Sequence, residues 1–330
     1  MKTILNRLIN HDTLSQQEAY DTLTSISAGN YNPSQIAAFL TVYMMRPITT
    51  AELYGFRSAL LDLCVRIDLS DFETIDLCGT GGDGKDTFNI STLSSLVVAG
   101  CGIKVAKHGN YGVSSVSGSS NVMESLGVRF SNDESFLKRC IDEANICILH
   151  APLFHPAMKN VAPIRKELAV KTFFNLLGPL VNPAFPQNQL SGVFSLELAR
   201  MYAYLLQETD VNFGVLHALD GYDEISLTGN TKVISNLEET LFSPADFGFE
   251  KLNPSDIKGG ETVADSVKIF TEILHGNGTQ AQQNVVYANA ALAIKMMKKC
   301  SLEEAIASAK ESLKSGKALQ TLQKLQQLSS

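Results

Sequence analysis

Hydrophobic positions recur at helical spacing over residues 3–69, with charged and hydroxylated residues between them, so the opening of the chain is predicted to be helical. The S-Q-Q-E run beginning at Ser15 has the form of a capping box, and Asn32-Pro33-Ser34 marks a second helix start. The pattern then changes to short apolar runs at 73–77, 103–106, 146–149, 189–194 and 213–218, most of them separated by helical periodicity. That alternation predicts parallel strands joined by crossover helices. The expected fold is α/β: a small N-terminal helical domain plus a larger domain with a mostly parallel central sheet flanked by helices. Residues 169–186, carrying Gly178-Pro179 and Asn182-Pro183, interrupt the alternation and read as a return to the helical domain. After Leu252 the pattern is mainly helical. The predicted domains are 1–70, with a return segment near 165–186, and 71–164 joined to 187–330.

Composition narrows the class of function. A chain of 330 residues, 45% hydrophobic and 18% charged, can bury a large core and divide into two domains. The longest apolar segments, such as 93–105, are interrupted by Ser and Gly and fall short of the roughly 20 residues that span a bilayer. No membrane span is expected. The opening MKTILNRLINHD lacks an extended apolar core and a small-residue cleavage site, so a cytoplasmic address is expected. Six cysteines without a C-x-x-C pair suit reduced thiols rather than a disulfide frame or a zinc site. The net charge of −7 disfavours nucleic acid as a partner.

The chemistry concentrates in DLCGTGGDGKDTFNIST, residues 76–92, where Gly79, Gly81 and Gly84 have the spacing G-x-G-x-x-G. A nicotinamide site would open straight into a helix and place an acid about 20 residues further on. Neither condition holds: Lys85, Asp86, Thr87 and Phe88 precede a helix start near Asn89, and the second strand ends in Lys104, Lys107 and His108. Cations there favour a different anion. Glycine amides over 79–82, a helix start with hydroxyls at Ser91 and Thr92, and Lys107 are three ways to hold phosphate. A ligand with two separated phosphate groups would use all three. Asp83 inside such a loop would repel the ligand unless it accepts ribose hydroxyls or acts through a cation. Asp223-Glu224 fits either a solvated turn or a pair of hard oxygen ligands for Mg²⁺.

These motifs, in order, resemble the anthranilate phosphoribosyltransferase family from the helical opening to the last helices. The resemblance rests on G-T-G-G-D-G from Gly79, T-F-N-I-S-T from Thr87, K-H-G-N from Lys107 and S-G-S from Ser117. It continues with R-K-E-L from Arg165, F-N-L-L-G-P-L from Phe174 with Asn182-Pro183, and D-E-I-S-L-T-G from Asp223. It implies transfer of 5-phosphoribosyl from phosphoribosyl pyrophosphate to the amine of anthranilate, releasing pyrophosphate, in tryptophan biosynthesis. By resemblance the donor is held by Gly79, Thr80, Gly82, Asp83, Thr87, Asn89, Ser91, Thr92, Lys107 and Ser119. The glycine loop and Ser91 take the pyrophosphate side, while Asn89, Thr92, Lys107 and Ser119 face the 5'-phosphate. Gly79, His108, Asn110 and Arg165 are implied on the acceptor side, Arg165 meeting the anthranilate carboxylate. Ser91, Asp223 and Glu224 are the implied Mg²⁺-linked residues. No general acid or base is assigned, because an aromatic amine is already unprotonated at neutral pH. A homodimer is implied as well.

Several positions depart from the family pattern. Tyr111-Gly112 stands where an Arg is common, Val116 where Lys is frequent and Asn121 where an acid is usual; Ala169 and Lys171 occupy places often held by Gly and Arg. The departures bear on acceptor contacts and loop behaviour more than on donor binding. Two alternatives remain at this level, a pyrimidine nucleoside phosphorylase and a nonenzymatic nucleic-acid-binding relative of the same fold.

Overall fold

The computed structural model describes residues 1–112 and 116–329. Four helices open the chain: α1 (Lys2–Ile9), α2 (Gln16–Ser27), α3 (Pro33–Met45) and α4 (Thr50–Asp62). An alternating stretch follows, with β1 (Thr74–Gly79), α5 (Ile90–Gly100), β2 (Lys104–Gly109), α6 (Ser119–Ser125), α7 (Glu134–Ala144) and β3 (Ile146–His150). Two short helices, α8 (Ala151–Phe154) and α9 (Ala162–Leu168), precede β4 (Asn188–Gly192), α10 (Leu196–Gln207) and β5 (Asn212–Ala218). Then come β6 (Thr231–Ser235), β7 (Glu239–Phe242) and the closing helices α11 (Val263–Leu274), α12 (Gln280–Lys298), α13 (Leu302–Lys314) and α14 (Lys317–Ser329).

The chain forms two compact units. One comprises Met1–Ile67 with Ala151–Phe185, the other Asp68–His150 with Pro186–Ser330. The helical unit therefore takes in residues 151–164, which the apolar pattern assigned to the larger domain. Long-range bonds hold them there: the Val65 N–H donates to the Phe154 carbonyl at 2.7 Å, and Asn160 Nδ2 donates to the Ser27 carbonyl at 3.0 Å. Residues 155–168 are not one helix but a 3₁₀ turn, Pro156–Asn160, followed by α9 with Pro163 in its first turn. Proline suits that position because its missing N–H has no helical partner to bond. The starts of α2, α3 and α4 carry reciprocal caps at Ser15/Glu18, Asn32/Gln35 and Thr49/Glu52. Phe56 stacks on Phe173 with centroids 4.6 Å apart, and Phe39 and Tyr43 complete the cluster, which ties the return segment into the helical core.

In the second unit one seven-stranded sheet has the order β3-β2-β1-β4-β5-β6-β7. The first five strands pair in parallel and β6 and β7 antiparallel, so the sheet is mostly parallel, with helices packed on it as expected. The β6–β7 hairpin lies outside the apolar runs picked out by pattern. Buried Leu93, Val97 and Val98 of α5 and Val285, Leu292 and Ile294 of α12 form much of the core. Among the described residues no helix is long and apolar enough to cross a membrane.

Candidate active site

Strand order reverses at β1: the chain proceeds to β2 and β3 on one side and to β4 and β5 on the other. The carboxyl ends of β1 and β4, where Gly79 pairs with Gly192, therefore form a topological switch point, the place where open α/β sheets bind ligands. Asp223 lies across both ends. A Cβ on Gly79 would come within 2.6 Å of Asp223 Oδ2, and one on Gly192 would collide with the Asp223 carbonyl. Glycine at both positions lets the segment bearing Asp223 close onto the sheet. Beyond Gly79 the backbone enters the left-handed region at Gly81 and Gly82, with φ of +65° and +77°, conformations that glycine adopts at little cost. This turn brings the Gly81 N–H to 2.6 Å from Asp223 Oδ2, and the Thr80 N–H donates to the Gly192 carbonyl at 2.9 Å. Asp83 Oδ1 accepts the Lys85 N–H at 3.1 Å, whereas its Oδ2 is buried and accepts no hydrogen bond.

The result is a group of mutually repelling carboxylates. Burial, then the charge of Asp83, pushes the Asp223 carboxyl up to about 7, and the Gly81 amide offsets this only in part. Burial and the neighbouring Asp223 hold Glu224 well above the usual carboxylate range, against the opposing influence of Lys107 and the Ser91 amide. Among the described residues none of the three carboxylates forms a salt bridge. Carboxylates offset only in part by Lys107 and two amides fit a further cation. No three His, Cys, Asp or Glu side chains among the described residues form a group able to hold a metal by themselves. Mg²⁺, however, commonly takes one or two carboxylates and completes its shell with water and substrate phosphates. Asp223, Glu224 and the Ser91 hydroxyl suit that demand.

On the other side of β1, Lys107 is 2% exposed, and its Nζ donates to the Leu77 carbonyl at 2.6 Å. His108 is also buried, its N–H donating to Asp76 Oδ1 at 3.2 Å. Asn89 caps α5 in position only; its Nδ2 reaches instead to the Ser117 carbonyl at 3.1 Å. Ser119 Oγ lies 3.4 Å from the Asn110 carbonyl, packed so closely on Gly109 that any side chain there would strike it. Thr87 bridges to Lys258, and Thr92 is buried within α5. Gly79, Thr80, Asp83, Ser91, Lys107, Asp223 and Glu224 thus gather around the switch point, while Asn110 and Ser119, bonded to each other, and Asn89, bonded to Ser117, lie in the same unit.

Arg165 belongs to the helical unit. Its Nη2 donates to Asn175 Oδ1 at 3.1 Å and its guanidinium lies 5.5 Å from the Phe174 ring centre, while its buried Nε has no partner. Burial lowers its pKa, and among the described residues no carboxylate pairs with it.

The sequence reading passed over Gly192, the Lys85 ammonium 4.8 Å from the Tyr222 ring centre, and Gly259, whose N–H donates to the Asp86 carbonyl at 2.7 Å. A glycine inside the apolar run at 189–194 and the Gly259-Gly260 pair were the available signals.

The chain is similar to known proteins over nearly its whole length. Residues 2–64 match the helical bundle domain of the glycosyl transferase family and residues 71–319 its a/b domain. An anthranilate phosphoribosyltransferase of Flavobacterium johnsoniae is 70% identical over 329 residues, covering 100% of each chain. This chain belongs to the anthranilate phosphoribosyltransferase family. Among solved structures, the family's enzyme from Thermus thermophilus superposes with a TM-score of 0.89 at 32% identity, covering 98% of each chain. A Saccharomyces cerevisiae family structure in complex with PRPP and Mg also has a TM-score of 0.89, at 27% identity, covering 98% of this chain and 96% of that one.

Proposed function

We propose that this chain transfers the 5-phosphoribosyl group of phosphoribosyl pyrophosphate to the amine of anthranilate. The C1'–oxygen bond of the donor breaks, pyrophosphate leaves with the electron pair, the anthranilate nitrogen bonds to C1', and one amine proton passes to solvent. The observation that carries the reading is the junction, at one switch point, of a left-handed glycine loop, a buried lysine and a group of carboxylates that, among the described residues, form no salt bridge. The amides of 79–82 and the Ser91 hydroxyl receive pyrophosphate. Lys107, Asn89, Thr92 and Ser119 receive the 5'-phosphate, and Thr87 belongs to the same donor loop. Asp83 accepts ribose hydroxyls. Mg²⁺ held by Asp223, Glu224 and Ser91 would neutralise the departing pyrophosphate. Electrostatic stabilisation and positioning supply most of the acceleration, so no general base is required. Gly79, His108 and Asn110 line the acceptor, and Arg165, a guanidinium lacking an anion, meets the anthranilate carboxylate.

The assembly is read as a cytoplasmic homodimer joined through the helical unit, where Met44, Met45 and Ile9 expose apolar surface. The decisive experiment follows the fluorescence of the product from anthranilate and phosphoribosyl pyrophosphate, first with magnesium and then with a chelator. Magnesium-dependent product is expected. No product under either condition would refute the activity, and undiminished product in chelator would remove the metal from it.

A further inference from the structure

Asn121 holds two points of the chain together. Its Oδ1 accepts the N–H of Gly112 at 2.9 Å and the N–H of Gly118 at 2.9 Å, on either side of residues 113–117. The approach is close enough that a Cβ on Gly118 would come within 2.5 Å of the Asn110 carbonyl oxygen, so only glycine fits. The neighbours of this pin reach the proposed donor residue Asn89 and tie Ser119 to Asn110. The Ser117 carbonyl accepts Asn89 Nδ2 at 3.1 Å, and Ser119 and Ser120 both bond the Asn110 carbonyl, at 3.4 and 3.1 Å. A second layer backs the first. Ser120 Oγ lies 2.8 Å from His150 Nδ1, Tyr111 donates to Glu124 at 3.1 Å, and the Tyr111 and Phe130 rings contact the His150 ring at 4.7 and 4.5 Å between centroids.

We propose that Asn121 is a positioning residue for the donor, its single carboxamide oxygen pinning Gly112 to Gly118 and thereby fixing Asn89 and Ser119 where the 5'-phosphate binds. The proposal rests on the transferase reading above. An amide suits the task because it accepts two N–H groups without placing a negative charge beside a phosphate cradle. A carboxylate would keep both bonds but add that charge. An aliphatic side chain would leave two amides without their acceptor.

The test compares wild type, Asn121→Leu and Asn121→Asp in the full chain, by two-substrate kinetics and by hydrogen exchange of the Gly112 and Gly118 amides in ligand-free protein. Asn121→Leu is expected to raise the donor KM about tenfold, the loss of two hydrogen bonds, while kcat at saturating donor stays within about threefold. Asn121→Asp is expected to bring the donor KM back to within about threefold of wild type, which simple loss of folding would not do. Both amides should be protected in wild type and exchange faster in Asn121→Leu. An unchanged donor KM in Asn121→Leu, an Asp variant as impaired as the Leu variant, or equal exchange rates would each overturn the proposal. Wild-type protein that yields no product while both amides are protected would overturn the transferase reading and uphold the pin.

Discussion

Each unit buries carboxylates, yet their surroundings are opposite. Glu52, in the helical unit, is fully buried against Arg46 and accepts the Leu14 N–H at 2.9 Å, the Tyr43 hydroxyl at 3.0 Å and the Thr49 N–H at 2.9 Å. Burial alone would raise its pKa, but the Arg46, Leu14 and Thr49 donors prevail and it falls below the ordinary value. Asp223 is buried and Glu224 half-buried, but they face each other and Asp83, and their pKa values rise. The first group is complete within the chain and serves the fold. The second is incomplete within the chain, and what would complete it is a cation and a ligand. A buried charge marks function when its partner is missing, not merely because it is buried.

The same chemical change should therefore have opposite consequences in the two places. Asp223→Asn with Glu224→Gln is expected to lower magnesium-dependent turnover on the order of 10³-fold, as removal of transition-state charge stabilisation does. Its unfolding free energy in urea should not fall, because the exchange removes buried repulsion. Glu52→Gln should do the reverse. It leaves Arg46, 7% exposed, without its anion and is expected to cost about 3–5 kcal/mol of stability, while the protein that remains folded turns over normally. A double variant less stable than wild type, or a stable Glu52→Gln protein, would break the contrast.

His155 sharpens it as a third case. It is 5% exposed in the helical unit, and burial lowers its pKa to about 4, with the Val181 backbone working slightly the other way. The unfolded chain takes up a proton near the ordinary 6.5, whereas the native state resists until about 4. More protons bound in the unfolded state mean that the His155 contribution to stability falls as pH drops through this window, by about 3 kcal/mol in all, and levels off below it; the raised pKa values of Asp223 and Glu224 act the opposite way over the same window, and burial of His150 acts in the direction of His155. The lowered pKa of Glu52 acts in the same direction only at lower pH, below 4.5. The difference in urea unfolding free energy between wild type and His155→Phe at pH 7, 5.5 and 4 isolates the His155 contribution and should shrink as the pH falls. A difference between the two proteins that stays constant with pH would remove His155 from the pH dependence.

Much of this was legible in the sequence where the signal is local. The five parallel strands follow from apolar runs, and the tight glycine turn from the spacing of Gly79, Gly81, Gly82 and Gly84, three of which adopt positive φ. The β6–β7 hairpin was not legible, because its strands are short and β7 is half-exposed along its length, with Glu239 paired to Lys232 at 2.8 Å on the surface. The return of 151–164 to the helical unit depends on bonds to Val65 and Ser27, distant in the chain and invisible to periodicity. For Asp223-Glu224 the residues alone favoured a solvated turn over a metal site. What buries Asp223 is the bare backbone of Gly79 and Gly192, and neither glycine announces its partner.

Arg165 carries the comparison to a cation. Among the described residues it forms no salt bridge, as Asp223 and Glu224 form none, and burial lowers its pKa as burial raises theirs. If the missing anion is the anthranilate carboxylate, Arg165→Ala should raise the anthranilate KM on the order of tenfold to a hundredfold and leave the donor KM nearly unchanged. Arg165→Lys should recover only part of the loss, since an ammonium cannot reproduce the planar two-point bond of a guanidinium. Asn175 and Phe174 already orient the side chain, so its geometry is set before the acceptor arrives. Equal increases in both KM values would mean that Arg165 supports the fold of its unit, as Arg46 does, and that the acceptor carboxylate finds its charge elsewhere.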